Sequence, residues 1–295
     1  MSATLLPGPR IDAHLHLWDL EVSDYAWLRP EHGSLYATFT ATQAKAELDA
    51  AGIDGAVLVQ AEDSLADTEF LLGTAEANPW VAGVVGWVPL DDPAAAERAL
   101  DRWQQHRVFC GVRNLLHVDP RDDFLTLPGV HESLALLAAR GIPYDIPDAW
   151  PRHLSAAAVL ASDFPDLTIV IDHLGKPPIG RRDYDAWREV IARVAAHPNT
   201  VGKFSGMRMP GVPFTALALR PTWETALDFF GPSRLMYGGD WPVTVPAGGY
   251  GPTWRVMGKL IGELSAGEQS LLMGGAAVAT YRLGRAANKR ETSRR

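Results

Sequence analysis

Eight short apolar or β-branched runs, separated by amphipathic stretches, constrain this 295-residue chain more than any other feature. They are RIDAHLHLW (10–18), DGAVLVQA (54–61), VAGVVGWVPL (81–90), VFCGVRNLL (108–116), IPYDIP (142–147), LTIVIDHLG (167–175), TVGKFSGM (200–207) and RLMYGGDW (234–241). Between them, segments such as TATQAKAELDAAG and PGVHESLALLAARG carry apolar residues at helical spacing. Each opens near Thr or Pro and closes on a glycine, Gly52 or Gly141, suited to the left-handed residue after a helix. Strands alternating with helices give βαβ units and a parallel sheet. Eight such units in a chain of this length fit a closed (β/α)8 TIM barrel, which needs roughly 250 residues, better than an open sheet. No Ser/Gly-rich linker divides the chain. One domain over 1–295 is expected, with its core at about 10–284 and the basic tail RLGRAANKRETSRR frayed.

Charge and composition exclude whole classes of partner. A net charge of −8 gives no attraction for phosphate backbones or anionic lipid, so nucleic acid is not expected. No apolar run approaches the roughly 20 residues needed to cross a bilayer, so no membrane partner is expected. The first ten residues lack a basic start and an apolar stretch, and the single cysteine, Cys110, excludes an internal disulfide. A cytoplasmic enzyme is expected, with a small molecule as its partner; a homodimer is compatible with this composition. Cys110, in a strand-like run, reads as a small buried hydrophobe rather than a nucleophile.

Active sites in such barrels lie at the C-terminal ends of the strands. Two long irregular pieces follow the first and last strands, at 18–38 and 241–254, and would bring Trp18, Trp27, Trp241 and Trp254 to the mouth. Alternation along the first strand puts Asp12, His14 and His16 on one face and Ile11, Ala13, Leu15 and Leu17 on the other, which aims the histidines into the barrel. Two imidazoles two residues apart can converge on one cation or act as bare imidazoles on a substrate. Other strands also end in polar or ionisable groups: His173 after IVI, Lys203 and Ser205 in GKFSGM, and Asp240 after MYGG. Unpaired buried charge is costly, so packing alone does not explain them. Two histidines, a third histidine and a carboxylate at one mouth make a coherent hydrolytic set. Asp12 reads either as a partner that fixes a histidine tautomer or as a group with a direct role. Lys203 reads either as a substrate contact or as one half of a structural ion pair. Arg113 reads either as one half of a structural pair or as a planar fork for a carboxylate or a lactone oxygen. No G-x-S-x-G elbow is present, so a serine nucleophile is not expected.

The motifs IDAHLHLWD with YAWL after it, AGIDGAVLVQAEDSLADTEFLL, VAGVVGWVPL, GVRNLL, DHLGKPP and YGGDWPV together resemble the lactonase branch of the amidohydrolase superfamily over about residues 10–284. The likeness is strongest to its sugar-acid lactonases, such as those acting on fuconolactone or rhamnonolactone. The resemblance implies a (β/α)8 barrel with His14 and His16 on strand 1, His173 on strand 6 and Asp240 on strand 8. In metal-dependent members the strand 1 pair and the strand 8 aspartate are ligands, so His14, His16 and Asp240 would hold any divalent ion, zinc being the expected one. Strand 5 here, IPYDIPDAW, lacks the histidine on which the superfamily's zinc decarboxylases depend; Asp145 and Asp148 are its only ionisable groups. That departure favours a lactonase over a nonoxidative decarboxylase and leaves one divalent ion or none as open alternatives. Asn114 stands where a His or Pro is usual after the arginine, and PDAWPRHL also departs from the family's run, so the particular lactone does not carry over.

The implied mechanism is hydrolysis of a small lactone, a sugar-acid lactone or a muconolactone-type compound, by direct attack of water. Asp240 would be the general base, and His14 and His16 would polarise the carbonyl with or without a metal. His173 would orient the carbonyl or assist the leaving hydroxyl. Arg113, Lys176 and Lys203 would anchor hydroxyls or a carboxylate, and Trp18, Tyr144, Trp150 and Trp241 would line the pocket. An inactive sugar-binding barrel is the remaining alternative, against which the intact His14, His16, His173 and Asp240 set speaks.

Overall fold

Each of the eight apolar runs forms a strand: β1 (Ile11–Leu15), β2 (Gly55–Val59), β3 (Val81–Gly86), β4 (Phe109–Arg113), β5 (Tyr144–Ile146), β6 (Ile169–Ile171), β7 (Thr200–Phe204) and β8 (Leu235–Tyr237). In the computed structural model, which describes residues 8–284, they lie side by side in chain order in one parallel sheet. Helices α1 (Ala41–Ala51), α2 (Leu65–Ala77), α3 (Pro93–Trp103), α4 (Pro128–Arg140), α5 (Leu154–Asp163), α6 (Tyr184–Ala195), α7 (Ala216–Phe230) and α8 (Tyr250–Ile261) follow the strands one by one. Two short helices, α9 (Ala266–Ser270) and α10 (Ala276–Tyr281), come last. From residue 285 on, the tail expected to fray lies outside the described residues. Among the described residues no helix is long and apolar enough to cross a membrane.

Local chemistry sets these boundaries. The Thr40 side chain caps α1 by accepting from the Gln43 N–H, and Pro128 opens α4. Both helices end on glycines with positive φ, Gly52 at 66° and Gly141 at 62°, as their sequences indicate.

The barrel interior is layered. At its lower end Ile11, Ala13, Val57, Val59, Val85, Val170, Val201 and Met236 form an apolar cluster with Ala276, Ala277 and Tyr281 of α10, which plugs the bottom. A larger apolar shell joins the outer strand faces to the helices. One expectation is corrected here. Ile11 and Ala13 belong to the inner cluster while Leu15 and Leu17 belong to the outer shell, because the pairing of β1 with β2 slips by a residue between Asp12 and Leu15. This irregularity switches the inward face, so His14 and His16 point into the barrel but Asp12 does not share their side.

Asp12 instead closes the seam between β8 and β1. Its carboxylate accepts from the His14 N–H at 2.9 Å, the Gly239 N–H at 3.0 Å and the Tyr250 hydroxyl at 2.7 Å. Beside it, the Asp240 N–H donates to His14 O at 2.9 Å and the His16 N–H to Trp241 O at 2.7 Å. The two segments approach so closely that only glycine fits: a Cβ on Gly238 would lie 2.6 Å from the His14 Cβ, and one on Gly239 2.3 Å from the Tyr250 ring. The expected role of Asp12 as holder of a histidine tautomer is therefore replaced by a backbone clamp.

Candidate active site

At the C-terminal mouth β1, β4, β6 and β8 deliver His14 and His16, Arg113, His173 and Asp240 to one place. The chain bends sharply to do so: His173 and Asp240 adopt positive φ values of 55° and 54°, and Asp148 and Lys176 in the neighbouring loops adopt 39° and 64°. Non-glycine residues pay about 1–3 kcal/mol each for such backbone, and they cluster where the surrounding structure imposes them for function. The residues border a cavity of about 150 Å³ whose apolar wall includes Trp18, Trp27, Leu115 and Val243.

The histidine pair is wired from behind. The His16 Nδ1–H donates to Val59 O at 2.8 Å, so the neutral ring carries a lone pair on Nε2. That atom lies 3.0 Å from His14 Nε2. His14 Nδ1 sits 3.3 Å from Asp172 Oδ1 and 3.4 Å from Lys203 Nζ. Burial lowers His14 to about 4 and holds His16 and His173 well below the usual histidine value, so all three are neutral at pH 7. Asp240 Oδ1 completes the group at 3.9 Å from His14 Nε2 and 3.7 Å from His16 Nε2, and burial pushes its carboxyl up to about 7. Ligands on a tetrahedral ion at about 2.0–2.1 Å stand roughly 3.4 Å apart, and the three separations here bracket that value. When the His14 Nδ1–H donates to Asp172, two nitrogen lone pairs and a carboxylate oxygen face one point, an arrangement that a cation stabilises. His14, His173 and Asp240 also place ligand atoms within 4.8 Å of one another. The residues present therefore fit a divalent metal ion.

Beneath this group lies a buried ladder of charge. Lys203, completely buried, donates to Asp145 at 2.6 Å and pairs with Asp172 at 2.9 Å, and Asp145 also accepts from the Tyr281 hydroxyl at 2.6 Å. Burial opposes charge on Lys203, but the two carboxylates outweigh it and keep its pKa above the ordinary lysine value. Burial likewise works against the Asp172 carboxylate, yet Lys203 and His14 hold it well below the usual range.

Of the residues proposed from sequence, His16, His173, Asp240, Arg113, Lys176 and Trp18 border the cavity, and His14 lies just behind them. Four others do not. Lys203 is consumed by its two carboxylates below the histidines. Tyr144 pairs in register with Val112 of β4 and, like it, packs in the outer shell. Trp150 turns away to donate its Nε1–H to Asp183. Trp241 stacks edge-on against Phe39, behind the wall. Trp254 is also misplaced by the sequence reading, because α8 begins at Tyr250 and carries it to Tyr237 and Arg10 at the opposite end. Arg113 reaches the cavity with its guanidinium already bonded to Asp172 at 3.3 Å and to Gln60 O. Asn114 turns inward to Val88 O. Two positions at the site are not named from the sequence, Asp172, the carboxylate behind His14, and His117 on the cavity wall; two others are named there without a role, Ser205, whose Oγ lies 2.8 Å from His173 Nδ1, and Asp148, on the cavity wall. The parity of β6, with Val170 inward, signals Asp172; the loop residues carry no such signal.

A barrel of this kind, with converging imidazoles and a carboxylate at its C-terminal mouth, defines the class of barrel hydrolases. The chain belongs to the amidohydrolase family, whose family model matches residues 11–283. It is 35% identical over 245 residues to an L-fucono-1,5-lactonase of Burkholderia ambifaria, covering 82% of this chain and 83% of that protein. An L-fucono-1,5-lactonase of Burkholderia multivorans is 31% identical over 295 residues, covering 95% and 98%. A crystal structure of an amidohydrolase from Burkholderia multivorans with bound zinc superposes with a TM-score of 0.84 at 30% identity, covering 94% of this chain and all of that one.

Proposed function

We propose that this chain is a cytoplasmic hydrolase that opens an uncharged sugar-acid 1,5-lactone, with its whole chemistry carried by one barrel. The observation that carries the reading is the convergence of the His14 and His16 Nε2 atoms with Asp240 on one small, largely apolar cavity. The relatives named L-fucono-1,5-lactonase support a sugar lactone as substrate, and a single cysteine fits a reducing compartment.

The tautomers decide how the histidine pair works. His16 presents a lone pair, and His14 either presents another or donates its Nε2–H to His16. Neither ring then offers an N–H to a carbonyl oxygen, which favours a ligand role over bare imidazoles. His14, His16 and Asp240 would hold a divalent ion, with zinc as the favoured identity, and when bound it would supply Lewis-acid polarisation of the lactone carbonyl. Asp240, with one carboxylate oxygen beside the imidazoles, uses the other to take a proton from the attacking water. With the Ser205 hydroxyl donating to Nδ1, neutral His173 carries its proton on Nε2 and presents it to the ring oxygen that leaves. Trp18, Trp27 and Leu115 exclude bulk water. Lys203 and Asp172 keep His14 oriented without touching the substrate.

The test is a pH-indicator assay with L-fucono-1,5-lactone and related aldonolactones, run with and without chelator. Asp240→Asn should lose at least about 10³-fold in kcat while still binding the lactone. Near-normal turnover in that variant would overturn the assignment of the base, and full activity after exhaustive chelation would overturn the ligand role of the histidines.

A further inference from the structure

Asp148, in the loop after β5, has no part in the chemistry just described, yet it is held in place at a cost. Its backbone sits at φ 39°, a strained value for a residue with a side chain. About a third of the side chain remains accessible and borders the cavity, while Oδ1 is closed off and meets no hydrogen-bond donor. Oδ1 lies 4.0 Å from His173 Nε2 and 3.9 Å from Lys176 Nζ, both beyond hydrogen-bond length. A carboxylate on the wall of a small, mostly apolar cavity with so few donors gains strongly from any hydroxyl that reaches it.

We infer that Asp148 is a specificity-determining residue that reads ring hydroxyls of the substrate, accepting from one while Lys176 beside it donates to a neighbour. The inference rests on the lactonase reading and deepens it. The charges at the mouth agree. Among the described residues bordering the cavity, the two side-chain cations each face a carboxylate, Arg113 at 3.3 Å from Asp172 and Lys176 at 3.9 Å from Asp148, so a carboxylated lactone would have to compete with those carboxylates while adding its charge to that of Asp148 and Asp240. A hydroxylated, uncharged lactone satisfies Asp148 without bringing further negative charge. A site built to hydrogen-bond a hydroxyl discriminates sharply against an analogue that lacks it.

The experiment compares kcat/KM for glucono-1,5-lactone with that for unsubstituted δ-valerolactone in the wild type, Asp148→Ala and Asp148→Asn. The ratio of the two should fall at least about 30-fold in Asp148→Ala, mainly through KM for the hydroxylated lactone, and recover in part in Asp148→Asn, whose amide oxygen still accepts. A ratio unchanged in Asp148→Ala, with both substrates falling alike, would overturn the assignment, since a merely structural residue would affect both. Binding by calorimetry needs no turnover: on an Asp240→Asn background, adding Asp148→Ala should weaken binding of glucono-1,5-lactone at least 10-fold, and unchanged binding would likewise overturn it. Wild-type protein that hydrolyses neither lactone, yet shows this Asp148-dependent binding, would refute the hydrolase reading and leave the role of Asp148 standing.

Discussion

Asp12→Ala tests how the barrel is closed. In the wild type the Asp12 carboxylate receives three buried donors: the His14 N–H, the Gly239 N–H and the Tyr250 hydroxyl. Alanine removes the acceptor and leaves all three without a partner in a place that water does not reach, since Asp12 and Tyr250 are completely buried. Each stranded donor costs about 1–3 kcal/mol, so the three together cost roughly 3–9 kcal/mol, with about 5 kcal/mol expected. A typical domain holds only about 5–15 kcal/mol, so this one side chain commands much of the margin. Burial raises Asp12 to about 6, so its contribution is fully present below about pH 4 and falls by roughly 3 kcal/mol as pH rises through 6; urea unfolding at pH 5 and at pH 8 is the suitable assay, with the larger loss expected at pH 5. Tyr250→Phe withdraws one donor instead of the acceptor and should cost only about 1 kcal/mol, which keeps the reasoning testable if Asp12→Ala does not fold. In a double-mutant cycle the two changes should be non-additive by at least about 1 kcal/mol. A loss below about 1 kcal/mol in Asp12→Ala, or strict additivity with Tyr250→Phe, would refute the clamp.

Three other outcomes follow from the buried polar groups. Lys203→Met leaves Asp145 and Asp172 facing each other without their cation, and should cost about 3–5 kcal/mol by urea unfolding, with partial recovery in Lys203→Met/Asp145→Asn. Asp67, which accepts from the Tyr25 hydroxyl and the Ala61 N–H, is raised by burial from 3.8 to about 7. Its contribution is therefore present below about pH 4 and lost as pH rises through 7; against Asp67→Asn, the wild type should lose on the order of 4 kcal/mol between pH 4 and pH 8, read as the difference in unfolding free energy. Ser205→Ala removes the partner of His173 Nδ1 and should lower kcat about 10-fold, with less than about 1 kcal/mol lost in stability, checked by steady-state kinetics beside a urea curve.

The barrel is legible in the sequence because each strand advertises itself by a β-branched run and each helix by its punctuation. The inward aim of His14 and His16 is legible too, although for a reason that alternation alone does not supply. The irregularity in β1 inserts one residue without any compositional mark, so it reverses the faces of Ile11 and Ala13 and sends Asp12 to the seam. Lys203 is visible as an ionisable strand residue, but its two carboxylates come from β5 and from the turn after β6, and only the closed barrel brings them together. Aromatic residues mislead for a similar reason: Trp150, Trp241 and Trp254 sit in or beside loops after strands, yet Asp183, Phe39 and Arg10 draw them elsewhere. His117 and Asp148 lie on loops whose path depends on tertiary contacts, where no periodicity indicates direction.

The charged ladder along the barrel axis also fixes when the enzyme comes into being. Asp145 waits 136 residues for the Tyr281 hydroxyl, and Asp12 waits 227 for Gly239 and 238 for Tyr250. A chain emerging from the ribosome as far as β7 already contains both histidines of β1 and the buried Lys203, but neither the strand that carries Asp240 nor the helix that plugs the barrel. Contacts so distant in sequence form late and slowly. The site is therefore expected to be complete only once the last helix has docked, and fragments that stop short of Tyr281 should be inert however much of the barrel they contain.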